Sequence, residues 1–175
     1  MAINIVLLEP EIPANTGNIG RSCAATGSRL HLIRPLGFSL SEKHLRRAGM
    51  DYWQKLDVSL YDDYEDFLLK NPGARVYYFS TKGRRRYTEA SFSSDDYLFF
   101  GKESAGIPEE ILIRHPDSCL RIPMIKENRS LNLSNSVSIA LFEALRQLDF
   151  PGLEDKGDLH RLSWEKLSSP GDKNQ

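Results

Sequence analysis

Short apolar runs alternate with helix-forming segments along most of the chain. That alternation restricts the fold more than any other feature. Apolar strands are predicted at residues 3–8, 30–33, 56–61, 76–79, 98–100 and 119–122. Helices are predicted at 18–26, at 41–48 between Ser41 and Gly49, at 64–70 and at 108–113, with a loop over 9–18. The strongest helix follows Ser134, where Val137, Ala140, Leu141, Ala144, Leu145 and Leu148 keep the i, i+3, i+4, i+7 spacing of a buried face. Pro151-Gly152 is expected to stop it, and Ile139 and Phe142, off that stripe, mark either a wide core face or a subunit contact, the latter favoured because Glu143 and Arg146 leave the remaining face polar. Such alternation gives an α/β fold, a mostly parallel sheet with helices on both faces.

Residues 1–152 are expected to form one domain, followed by a polar tail, 153–175, with Trp164 as its one large anchor. Of the 175 residues 40% are apolar and 27% charged, ordinary for a soluble globular protein. Cys23 and Cys119 lie apart in apolar segments, which fits buried, reduced thiols. The start, Met1 to Leu8, lacks a basic stretch and reaches Glu9, so it reads as a strand and not a signal peptide. No run approaches membrane-spanning length, and a cytoplasmic protein is expected. The net charge is −1 but unevenly spread. Lys43, Arg46 and Arg47 form one basic cluster and Lys82, Arg84, Arg85 and Arg86 another, while Asp57, Asp62, Asp63, Glu65 and Asp66 gather elsewhere. His31, His44, His115 and His160 lack ligand spacing, so no metal site is predicted.

Ligands of parallel α/β proteins bind at the carboxyl ends of strands. Three loops there carry unusual chemistry: 10–21, 101–108 and 123–136. The last is crowded with Ser and Asn, more than one helix cap requires. In the first, Asn15-x-Gly17-x-x-Gly20 is a dinucleotide fingerprint without its first glycine; a nucleotide-binding oxidoreductase would then rely on Glu42 for the ribose. Arg21, one turn into a helix of small residues, is a candidate for a phosphate or catalytic contact. In the second, Gly101-Lys102 is not a P-loop, because Asp96 and Glu103 occupy positions that need Gly and Ser/Thr. Gly101 and Gly106 suggest close backbone approach to a ligand, and Glu103 between them either holds substrate or braces a loop. The absence of a Gly-x-Ser-x-Gly elbow argues against a serine hydrolase.

Asn15-x-Gly17-Asn18-Ile19-x-Arg21, Phe100-Gly101-x-Glu103-x-x-Gly106-Ile107-Pro108, and Ile122-Pro123-Met124 with Ser130-Leu131-Asn132-Leu133-Ser134-Asn135-Ser136 resemble, in order, the three motifs of the SpoU branch of the SPOUT RNA methyltransferases. The runs from Leu8 to Gly17, from Leu45 to Tyr52 and from Arg146 to Gly152 are similar to the short, single-domain type acting on the wobble nucleotide of tRNA. The resemblance implies a deep trefoil knot threading the chain near Ile122–Ser136, and a homodimer. It implies S-adenosylmethionine as cofactor, with Phe79, Gly101, Ile122, Met124, Ser130 and Leu131 around it. Methylation of a ribose 2′-hydroxyl at the wobble position, in a leucine tRNA, is the implied reaction; another tRNA or rRNA site is the alternative. Arg21, Asn15, Glu103 and Ser136 would serve the reaction. Lys43, Arg46, Arg47, Arg84, Arg85, Arg86 and Asn135 would contact RNA. A non-catalytic RNA-binding module would leave residues 122–136 without a purpose.

Overall fold

The computed structural model describes residues 2–39, 53 and 56–164. The helix expected at 41–48, and with it Lys43, Arg46 and Arg47, lies outside the described residues. The elements are β1 (Asn4–Leu8), α1 (Pro13–Thr26), β2 (Arg29–Ile33), β3 (Val58–Tyr61), α2 (Tyr64–Lys70), β4 (Val76–Phe79), β5 (Arg85–Arg86), β6 (Tyr97–Phe100), α3 (Glu109–Leu112), β7 (Cys119–Arg121) and α4 (Leu133–Gln147). The seven strands form one sheet in the order β3-β2-β1-β6-β4-β7-β5. All six pairings are parallel, so every strand delivers its outgoing loop to the same edge.

Both faces of the sheet are covered. Ile5, Leu7, Leu30, Leu32, Leu98 and Leu120 pack with Ile19 and Cys23 of α1 and with Val137, Leu141 and Leu145 of α4. On the other face Val6, Leu8, Ile33, Tyr78 and Phe99 pack with Tyr64 and Phe67 of α2 and with Ile111 and Leu112 of α3. Burial of each such side chain contributes about 1.5–3 kcal/mol; β1, covered on both faces, is buried at all five residues, its one polar member Asn4 donating its amide to the Asp95 carbonyl.

The structure differs from the sequence expectations in several places. The loop expected over 9–18 gives way to helix at Pro13, whose missing N–H costs nothing at the first turn. α4 begins at Leu133, capped by Asn132, and ends at Gln147, before Pro151; Asp149 and Phe150 take left-handed backbone (φ 61° and 48°) to turn the chain away. β5 adds a parallel strand inside the basic run. Trp164 is no anchor: it is 61% exposed, and its indole N–H donates to the carbonyl of Gly157 within the tail.

Candidate active site

A cleft of about 510 Å³ opens at the carboxyl ends of β4, β6 and β7. Its floor carries Phe79 and Phe100, stacked with centroids 4.9 Å apart and planes 17° from parallel. Gly101, Ile122, Met124, Ser130 and Leu131 complete the group of residues that the sequence pointed to as cofactor contacts, and all of them line the cleft. Asn15, Glu103 and Ser136 line it as well.

One hydrogen-bonded chain joins the three motif loops. The Glu103 carboxylate accepts the backbone N–H of Glu11 (2.8 Å) and Ile12 (3.2 Å) and the side-chain amide of Asn15 (2.9 Å). It thereby caps α1, whose own cap residue Ile12 offers no side-chain acceptor, and places a negative charge at the positive end of the helix. Asn15 Oδ1 in turn accepts from Asn132 Nδ2 (3.0 Å). Asn132 Oδ1 accepts from the N–H groups of Ser134 (2.9 Å) and Asn135 (3.3 Å) and from the Ser134 hydroxyl (2.7 Å). The Ser136 hydroxyl donates to the Asn132 carbonyl (3.1 Å). Much of the Ser and Asn surplus thus caps the first turn of α4 around Asn132, and Asn132 alone carries the tie to Asn15 of α1. Asn132 was missed as the hub, although an Asn immediately before a helical stripe is a cap signal.

The glycines of the second loop serve loop closure. A Cβ on Gly101 would sit 2.0 Å from the Gly106 carbonyl carbon, and the N–H of Gly106, at φ +70°, donates to Lys102 O (2.8 Å). Two outer contacts fasten this loop to the first: Lys102 Nζ to Glu9 (2.7 Å), and the Ser104 N–H and hydroxyl to Glu11 (2.8 Å each).

Other candidate residues lie outside the cleft. Arg21 is exposed on α1, about 9 Å along the helix axis from Asn15. Asn135 is exposed at the first turn of α4. In the basic run, Arg85 donates to the carbonyls of Asp117 and Glu89, and Arg86 pairs with the Glu89 carboxylate (2.7 Å). Arg84 is exposed and has no ion pair among the described residues. The degenerate dinucleotide fingerprint lies inside α1, where the Glu103 carboxylate occupies the helix N-terminus that a pyrophosphate would need. Among the described residues no cluster could hold a metal ion and no helix is long and apolar enough to cross a membrane.

The model of the SpoU rRNA Methylase family matches residues 2–142. The tRNA (cytidine(34)-2'-O)-methyltransferase of Escherichia coli K12 is 49% identical over 151 residues, spanning 86% of this chain and 96% of that protein. A solved structure reported as "Structural insights into the 2-OH methylation of C/U34 on tRNA" superposes with a TM-score of 0.79 at 52% identity, covering 85% of this chain and 97% of that one. The AdoMet-bound rRNA methyltransferase of Sinorhizobium meliloti superposes with a TM-score of 0.73 at 29% identity, over 84% of this chain but 57% of its own.

Proposed function

The chain belongs to the SpoU rRNA methylase family, and on that premise we propose that it methylates the 2′-hydroxyl of the wobble nucleotide, position 34, of tRNA, with S-adenosylmethionine as donor. One observation carries the choice of substrate. The chain is 49% identical over nearly the full length of a tRNA (cytidine(34)-2'-O)-methyltransferase, whereas it is 29% identical to an rRNA enzyme and spans only 57% of it.

The cleft fits the donor. Its volume of about 510 Å³ falls in the range of small-molecule sites, which combine apolar walls with a few polar groups. Phe79, Ile122, Met124 and Leu131 would hold the adenosyl group, and the Ser130 hydroxyl and the backbone at Gly101 would bond its polar edges. When bound, S-adenosylmethionine supplies an electrophilic methyl group on a sulfonium.

The chain's own contribution is positioning, which supplies much of the rate of such a transfer. Ser136 lines the cleft and, with Asn135, would hold the reacting nucleotide. Arginine stays charged in proteins, so Arg21 would act as a fixed cation on a substrate phosphate and on charge developing at the ribose oxygen. The hydroxyl proton would leave to substrate phosphate or water. Glu103 and Asn15 serve as the brace that sets α1, and hence Arg21, relative to the cleft. Arg84, with Lys43, Arg46 and Arg47, would grip the RNA backbone.

Two further readings complete the proposal, in a cytoplasmic setting. The first is a trefoil knot. It is supported by β7 lying between the consecutive strands β4 and β5, and by the 80–83 turn crossing β7 so closely that a Cβ on Gly83 would meet Leu120 at 2.7 Å. The second is a homodimer through α4, supported by Ile139 and Phe142 at 37% and 49% exposure. α1 packs beside this helix, with Ser22 and Ser138 hydroxyls 3.4 Å apart. A second copy on that face offers Arg21 a cleft to serve. Incubation of the purified protein with S-adenosylmethionine and tRNA tests the function. A 2′-O-methylated pyrimidine nucleoside is expected from the wild type and none from Arg21→Ala. Unmodified tRNA with the wild type, or full turnover by the variant, would contradict the account.

A further inference from the structure

Three cations line the cleft: Lys82, Lys102 and Arg129. Two are engaged within the chain, Lys102 with Glu9 (2.7 Å) and Lys82 with Glu109 (2.9 Å). Arg129 is exposed and makes no hydrogen bond or ion pair among the described residues.

The charged residues that line the cleft are unevenly placed. The loop that meets α1 contributes Lys102 and Glu103, which offset each other, whereas Lys82 and Arg129 stand on the β7 side. On that side the chain leaving β7 carries Arg121, Lys126 and Arg129 against Glu127 alone, and Arg84 on the adjoining edge is likewise exposed and unpaired among the described residues. An anion is therefore favoured on the β7 side of the cleft.

Resting on the functional reading above, we propose that Arg129 binds an RNA backbone phosphate next to the nucleotide being methylated, and that the polynucleotide enters over the β5–β7 edge of the cleft. A guanidinium is a fork that matches phosphate oxygens in pairs. The carboxylate of the cofactor's amino-acid part has the same chemistry. The phosphate is favoured because residues 125–130 are all exposed, and because Arg84, on the segment that packs against β7, is a second exposed cation that a polyanion could use and one carboxylate could not.

Arg129→Ala and Arg129→Lys test this, by titration with S-adenosylmethionine alone and by tRNA binding over a range of salt. Arg129→Ala is expected to leave cofactor affinity unchanged, weaken tRNA binding roughly tenfold, and lower the slope of log affinity against log salt by about one. Arg129→Lys keeps the charge and should restore the slope. Unchanged tRNA affinity and slope in Arg129→Ala would overturn the inference. So would weakened cofactor binding with normal tRNA binding, which would assign the guanidinium to the cofactor carboxylate. Both outcomes presuppose a wild type that methylates tRNA; a wild type that does not would overturn the functional reading itself, and this inference with it.

Discussion

Glu103 shows how one side chain sets the geometry of the site. Its two oxygens receive three donors, from Glu11, Ile12 and Asn15. Glutamine there would turn an amide toward one of those N–H groups. Glu103→Gln is therefore expected to destabilise the fold by about 1–2 kcal/mol and to weaken S-adenosylmethionine binding, because Asn15 and Asn132 lose their anchor. Urea denaturation and cofactor titration measure both effects, and wild-type values in both would show that the contact is idle. Sequence left Glu103 open between substrate contact and brace, because only folding brings it to the start of α1, 88 to 92 residues from its partners Asn15, Ile12 and Glu11. Gly101 was legible as a position that admits no side chain. The reason was not: the crowding comes from Gly106, five residues on.

Elements with a strong pattern were legible, such as α4 with its apolar stripe. β5 was not, since two arginines carry no strand signal and pair only because β7 lies beside them. β2 hides a polar device of the same kind. Its His31 is buried, with Nδ1 2.8 Å from the Tyr61 hydroxyl and Nε2 3.1 Å from Asn4 Oδ1. The Asn4 amide nitrogen donates to the Asp95 carbonyl, so its Oδ1 faces His31 and can only accept; the proton therefore sits on Nε2, and Nδ1 accepts from the Tyr61 hydroxyl. Burial holds the imidazole pKa down to about 4. The unfolded chain takes up this proton near pH 6.5. The contribution of neutral His31 is thus fully present above about pH 6.5 and declines as pH falls toward 4, at a limiting rate of about 1.4 kcal/mol per pH unit. His31→Gln should flatten that part of the stability–pH curve, as measured by denaturant titration at several pH values. An unchanged slope would show that other groups dominate.

At the scale of the whole molecule, the parallel sheet gathers the outgoing loops at one edge, which is why three motifs far apart in sequence meet around one cleft. Local pattern predicted that edge. It could not predict β7 between β4 and β5, because strand order depends on long-range threading and not on propensity. The exposed Ile139 and Phe142 belong to this scale too. Phe142→Glu should convert a dimer to a monomer in sedimentation and suppress methyl transfer; wild type sedimenting as a monomer would contradict the dimer. The central claim is tested most directly by mapping ribose methylation at nucleotide resolution in tRNA treated with the purified protein and S-adenosylmethionine. A new 2′-O-methyl group at position 34 and nowhere else is the predicted result, whereas methylation confined to another nucleotide, or unmodified tRNA, would contradict it.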